Sequence, residues 1–157
     1  TAKPPLTSGE RGTIFATPKR GAEIRTCSGM RLRRAAALLY AGVSAGVVVF
    51  QVALATGVPW GAYAMGGTFP GRFPLPLRIA ALAQAALIAG MAVVVLSRAG
   101  LVLPGWSEVT RRLVWLVVAF AAVSLVLNLL TPSAGERAIW APVALLLLVS
   151  SAVVARK

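Results

Sequence analysis

Four long apolar runs, separated by short polar or glycine- and proline-rich segments, dominate the chain. The runs extend over residues 35–55, 79–97, 113–130 and 138–155, and none of them contains a charged residue. A helix of about 20 apolar residues is long enough to cross the hydrocarbon core of a bilayer. The pattern therefore predicts an all-α fold, a four-helix transmembrane bundle.

The last two helices carry signals for where they begin. Ser107 comes just before the third run, and Ser133 with Glu136 matches the S-x-x-E capping box ahead of the fourth. Pro142 predicts a kink in the fourth helix or a later start for it. Because the connection at residues 131–133, between the third run and the start of the fourth helix, is so short, these two helices are expected to form an antiparallel hairpin.

The composition supports a membrane domain. Hydrophobic residues make up 58% of the 157 residues and charged residues 13%, against about 45–50% and about 25% in ordinary soluble domains. A soluble domain of this length has too little interior to bury so much apolar surface. We therefore expect one membrane domain over residues 31–157, in contact with the lipid bilayer.

Residues 1–30 differ from the rest in being rich in Pro, Gly, Thr and charge, without an apolar period. They are expected to be a disordered basic tail. Met30 is followed at once by the basic residues that flank the first run. Two interpretations remain open: Met30 is the true start and the preceding residues are an upstream extension, or the tail is a genuine cytoplasmic segment.

The distribution of the positive charges predicts the orientation. Thirteen of the sixteen Lys and Arg lie within residues 1–34, in the 98–112 connection and at the C-terminus, and the other three are Arg72, Arg78 and Arg137. Cytoplasmic connections carry the excess of cations, so both termini are expected in the cytoplasm. Cations at the edges of apolar runs also argue against nucleic-acid binding, despite the net charge of +12.

The chain lacks most of the residue types that catalysis and metal binding require. It has no histidine and one cysteine, Cys27, and its only acids are Glu10, Glu23, Glu108 and Glu136. We therefore expect no enzyme activity, no metal and no cofactor. No Asp, Glu, Lys or Arg lies within an apolar run, whereas ion-coupled transporters normally place such a residue there.

Two glycines in the first run form a G-x-x-x-G pattern. Gly42 and Gly46 lie one turn apart, and such a pair flattens a helix face so that another backbone can approach closely. The pattern predicts a helix-packing face. The alternative is chance, since small residues are frequent throughout the chain.

Three amide side chains occur within the apolar runs: Gln51, Gln84 and Asn128. The predicted topology places all three in the outer half of the bilayer. They are expected to form a hydrogen-bonded layer between helices or to line a polar pocket, and a structural layer is the more frequent arrangement.

The connection between the first two runs is the most distinctive segment. Five glycines, two prolines and three aromatic residues fall within residues 57–72. It is expected to be either an interfacial turn anchored by its aromatics or a compact outer loop that recognises a partner. The candidate loop residues are Pro59, Trp60, Gly61, Tyr63, Gly66 and Gly67.

The G-x-P-W-G stretch at residues 57–61, the Gly66-Gly67 pair and Glu136-Arg137 before the last helix resemble a group of uncharacterised bacterial four-span membrane proteins. The likeness covers residues 34–156 and implies a four-helix membrane fold, with no activity to carry over. The amino-acid composition, rich in Ala, Val and Arg, resembles that of actinobacterial proteins. This resemblance implies that the protein lies in a bacterial cytoplasmic membrane. The 1–30 tail departs from the group's pattern.

Taken alone, the sequence favours a non-catalytic accessory or interaction protein, with another membrane protein or a second copy of itself as partner. The alternative is a small-solute transporter or channel formed by oligomerisation. The small multidrug-resistance transporters have this size and span count, but they depend on a glutamate in the first span. The 35–55 run has no such acid.

Overall fold

The computed structural model describes residues 20–156, and regular structure in this range is entirely helical. Three short 3-10 helices lie in the connections, at Gly61–Tyr63, Met65–Gly67 and Pro104–Trp106. The four long helices are α1 (Arg20–Thr56), α2 (Leu75–Arg98), α3 (Ser107–Leu130) and α4 (Ala134–Ala155).

The helix boundaries confirm some of the local signals and correct others. Ser133 caps α4, since its hydroxyl accepts a hydrogen bond from the Glu136 backbone N–H. Pro142 lies within α4, so the later start is wrong. The cap predicted at Ser107 is also wrong, because this residue is already the first of α3.

Residues 20–30, expected to be disordered, belong to α1, whereas residues 1–19 of the tail lie outside the described range.

Each long helix contains a stretch that is long and apolar enough to cross a membrane. The mean hydropathy of these stretches lies between 2.0 and 2.6, and one third or less of each is buried inside the protein. Large apolar side chains therefore cover the outside of the bundle, which suits lipid and not water. These features are those of a multi-pass membrane protein.

The helices are arranged as a ring in which each packs against its neighbours in sequence and α1 also packs against α4. The contact between α2 and α3 is the least extensive of the four. A guanidinium N–H of Arg33 near the start of the α1 span donates to the carbonyl of Arg98 at the end of α2, 3.1 Å away. We call this end of the bundle the terminal end and the opposite one, which carries the 57–74 connection, the loop end.

Packing differs between the two halves of the bundle. The terminal half is filled by a cluster of buried side chains from all four helices, namely Ala37, Tyr40, Val95, Val114, Val117, Val154 and Ala155. A smaller cluster at the loop end joins Leu54 and Ala55 of α1 to Phe73 and Ala81. Between the two clusters the bundle is not filled.

The glycine pair of α1 does not pack against another helix of the chain. Gly42 and Gly46 are exposed, and a Cβ atom added at either would have no neighbouring atom within 4 Å. The prediction of a close helix contact at these glycines is therefore wrong within the chain. The buried face of α1 is instead formed by Ala37, Tyr40, Ser44, Gln51 and Leu54.

We predict that Gly42→Ile leaves the stability of the protein unchanged, because the new side chain would extend into lipid. The matched change Ala85→Ile introduces a large side chain at a position of α2 that is only 6% exposed. Overpacking of this kind lowers the free energy of unfolding by about 1–3 kcal/mol. Thermal unfolding of both variants in detergent tests the difference, and equal destabilisation would contradict this placement of α1.

Candidate functional site

The 57–74 connection, which we call the loop, is closed on itself at Gly61. The Gly61 N–H donates to the carbonyl of Gly71 at 3.0 Å. A Cβ atom on Gly61 would lie 2.1 Å from the Phe69 carbonyl oxygen and 2.8 Å from that of Gly71. Only glycine at position 61 therefore allows the backbone there to approach the 69–71 backbone this closely.

A carboxylate of α4 holds the loop in place. Glu136 is only 8% exposed, and its Oε2 atom accepts hydrogen bonds from the Gly66 N–H at 2.6 Å and the Thr131 hydroxyl at 3.1 Å. Gly66 has a φ of +73°, a conformation that favours glycine. Since Glu136 lies in the first turn of α4, its charge is also stabilised by the positive end of the helix dipole.

Aromatic side chains reinforce the attachment of the loop. The indole N–H of Trp140 donates to the Tyr63 carbonyl at 2.7 Å. The Trp140 ring meets Phe50 of α1 edge-on, with ring centroids 4.7 Å apart, and Phe50 stacks on Trp60 at 6.0 Å. The loop is thus fixed to both α1 and α4.

A cavity of about 290 Å³, the loop cavity, lies beneath the loop and is lined by residues of all four helices. Tyr63, Ala64 and Met65 of the loop form part of its wall, and Glu136 and Trp140 lie at the same end. On the other side it extends to Tyr40 of the terminal-half cluster. Its size is close to the lower limit for pockets that bind small molecules, about 300 Å³.

The structure brings the three predicted amides to this one cavity. Gln51, Gln84 and Asn128 all line it, together with Ser124. The Asn128 amide donates within its own helix to the Ser124 carbonyl at 2.8 Å. Neither Gln51 nor Gln84 forms a side-chain hydrogen bond with any residue in the described range. The amides therefore line a pocket, and the hydrogen-bonded layer between helices is not formed.

The cavity is more open on one side. The helical lining residues that are exposed are Ala80 and Gln84 of α2 and Phe120 of α3, whereas those of α1 and α4 are buried or half-buried. This agrees with the sparse packing between α2 and α3. A molecule moving within the bilayer would reach the cavity through this side.

Glu136 is the one charged residue among those that line the cavity in the described part of the chain. The rest of the lining is apolar or aromatic, apart from the three amides and the Ser124 hydroxyl. In the described range, no group of three His, Cys, Asp or Glu residues is placed to hold a metal ion. An anion in the cavity would meet this carboxylate, and no cation lies among the lining residues.

The other predicted loop residues have supporting positions. Pro59 is exposed, and Trp60 is 45% exposed while its ring stacks on Phe50. Gly67 has a φ of +75° and lies close to Ser133, the cap of α4. Sequence reasoning assigned Glu136 only a capping role and so missed its bond to the loop, although its position as the one acid beside the fourth apolar run was a usable signal.

The chain matches no protein-family model, no curated protein and no solved structure. The resemblance to bacterial four-span membrane proteins therefore stays a prediction, and the function has to be argued from the site.

Proposed function

We propose that this chain is a non-catalytic membrane protein that binds a small, uncharged or cationic amphipathic molecule in the loop cavity. The observation that carries the proposal is Gln51. Its side chain is 9% exposed, lines the cavity and has no hydrogen-bond partner in the described part of the chain. The amide opens onto the cavity, and the surrounding hydrocarbon offers it no hydrogen-bond partner. A bound molecule with a hydroxyl, carbonyl or amide group supplies that partner.

The remaining lining defines the rest of the molecule. Apolar and aromatic side chains such as Phe50, Ile88 and Phe120 surround the amides, so the body of the ligand is apolar. The more open α2–α3 side favours entry from the bilayer and not from water. This combination of an apolar body and one or two hydrogen-bonding groups is typical of ligands of such pockets.

Glu108 and Glu136 are already engaged, which supports a binding role without catalysis. Glu108 pairs with Arg111 at 2.8 Å, and Glu136 accepts from Gly66 and Thr131. Neither lies beside a histidine, because the chain has none. As an accessory protein it would present the docked loop, with or without ligand, to another membrane protein or to a second copy of itself; we propose no nucleic-acid partner.

For the location we propose the bacterial cytoplasmic membrane, with both termini in the cytoplasm and the loop outside. The excess of cations at the terminal end supports this orientation. Reporter fusions at the C-terminus and within 98–112 should be active only in the form that works in the cytoplasm, and a fusion at Gly66 only in the external form. An external C-terminus would contradict the orientation.

The binding proposal is tested by identifying small molecules that co-purify with the protein in mild detergent. Ala121 is 4% exposed and lines the cavity, so Ala121→Phe should fill it. Ala119 is exposed on the same helix, and Ala119→Phe is the matched control. Mass spectrometry should detect one small molecule with the wild type and Ala119→Phe, and its loss with Ala121→Phe.

Gln84→Leu extends the test without overpacking, because Gln84 is exposed at the open side of the cavity. It should weaken retention of the same molecule while leaving thermal stability unchanged. The same content of small molecules in all four proteins would contradict the proposal.

A second candidate function is an oligomeric small-solute transporter or channel. The observation that favours it is the placement of polar side chains from three different helices, Gln51, Gln84 and Asn128, around one cavity. However, the terminal half of the bundle is filled by the buried cluster that includes Ala37 and Val154. A solute path through one chain would require the side chains of this cluster to move apart. Uptake by reconstituted vesicles that Gln84→Leu abolishes would favour the transporter.

A further inference from the structure

The terminal end of the bundle carries a second cavity, which we call the arginine cavity. It has a volume of about 360 Å³ and lies where the end of α2, the start of α3 and the end of α4 meet. Four guanidinium groups line it, and the lining residues are Arg98, Arg111, Arg112, Trp115, Ala155 and Arg156.

The positive charge of this cavity is poorly compensated. Glu108 pairs with Arg111 at 2.8 Å. The Glu108 side chain is 77% exposed and that of Arg111 is 49% exposed. Arg98, Arg112 and Arg156 have no carboxylate partner among the residues that the structure describes. The cavity therefore attracts an anion.

Two buried N–H groups at the terminal end, one of them on the lining residue Arg98, also lack acceptors. Arg33 reaches the Arg98 carbonyl through one guanidinium nitrogen, yet the Nε atoms of Arg33 and Arg98 are buried without a hydrogen-bond partner in the described range. A buried donor left unpaired is costly. An anion with several acceptor oxygens satisfies both the charge and the geometry, because guanidinium groups bind phosphate through paired hydrogen bonds.

We propose that the arginine cavity binds the phosphate headgroup of an anionic phospholipid. The cavity lies at the ends of three membrane-spanning helices, where lipid headgroups are found, and Trp115 beside it is 55% exposed, as expected of an aromatic at this boundary. Basic pockets between transmembrane helices bind such headgroups. Orientation in the membrane requires only that cations lie at this end, not that they converge on one cavity.

Native mass spectrometry of the full-length protein, loaded separately with phosphatidylglycerol, phosphatidylcholine or inorganic phosphate, tests the proposal. We expect one molecule of phosphatidylglycerol to stay bound after the detergent is stripped. Phosphatidylcholine should be lost under the same conditions. Equal retention of both lipids would overturn the proposal, and retention of inorganic phosphate in place of lipid would overturn the assignment of the ligand to a lipid.

Variants distinguish lipid binding in this cavity from a general attraction of anionic lipid to the positively charged terminal end. Arg112 and Arg156 are exposed, so the double variant Arg112→Gln with Arg156→Gln should keep the fold and lose the bound phosphatidylglycerol. Arg34 is exposed at the same end but does not line the cavity, and Arg34→Gln should retain the lipid. Retention by the double variant, or equal loss from Arg34→Gln, would overturn the site.

Discussion

Replacing Gly61 by alanine is expected to lower the free energy of unfolding by about 3 kcal/mol, the upper part of the range for overpacked sites. The added methyl group would lie 2.1 Å from the Phe69 carbonyl and 2.8 Å from the Gly71 carbonyl. Both obstacles are backbone atoms, so no side-chain rotation relieves the clash. The Gly61–Gly71 hydrogen bond would break, and the loop would open.

Thermal unfolding in detergent measures this effect. Gly90→Ala is the matched control, because Gly90 lies within α2 and an added Cβ atom would have open space around it. Alanine is the better helix former, so this control should be neutral or slightly stabilising. Equal behaviour of Gly61→Ala and Gly90→Ala would show that the loop does not fold on Gly61.

Replacing Glu136 by alanine is expected to release the loop from α4 and to lower the free energy of unfolding by about 2–3 kcal/mol, as for loss of a hydrogen bond to a charged group. The Gly66 N–H and the Thr131 hydroxyl would both lose their acceptor. Glu136→Gln keeps a carbonyl oxygen for one of them, so its effect should be smaller. Hydrogen exchange at Gly66 reports the release directly.

Glu108→Ala is the control for this second result, because it removes a glutamate that does not contact the loop. The Glu108–Arg111 pair is largely exposed, and exposed pairs of this kind contribute about 0.2–1 kcal/mol. Exchange at Gly66 should be unaffected by it. If Glu136→Ala were as mild as Glu108→Ala and left exchange at Gly66 unchanged, the attachment of the loop by Glu136 would be excluded.

The number of helices, their approximate positions and the cap of α4 could be predicted from the sequence, because these depend on residues close together in the chain. The length of each apolar run determines whether a helix can span a membrane. The S-x-x-E pattern determines the cap between Ser133 and Glu136. Neither prediction requires knowledge of which helices are neighbours.

The packed face of α1 could not be predicted in the same way. Spacing shows that Gly42 and Gly46 share a face, but not which face turns inward. In a membrane, lipid is as apolar as the protein interior, so hydrophobicity does not distinguish the two sides. The inward face carries Tyr40, Ser44 and Gln51, and Tyr40 and Gln51 line the loop cavity.

The attachment of the loop also lay beyond the sequence, since Gly66 and Glu136 are 70 residues apart. The capping pattern accounted for Glu136 through its backbone N–H, but the use of its carboxylate depends on where the loop lies in three dimensions. The sequence predicts the three amides as a set, and all three line the loop cavity. Their common cavity depends on incomplete packing in the loop half of the bundle, which no local pattern encodes.

We expect Gln51 to find its hydrogen-bond partner in a molecule bound in the loop cavity. The chain contains two glutamines, Gln51 and Gln84, so their side-chain amide signals can be assigned by NMR with the single variant Gln84→Leu. Isotopically labelled protein in deuterated detergent would be mixed with an unlabelled membrane lipid extract. Contacts between the Gln51 amide protons and protons of unlabelled molecules are the predicted result, and Ala121→Phe should remove them. Contacts of the Gln51 amide protons with protein protons alone would contradict the expectation that a bound molecule is their hydrogen-bond partner.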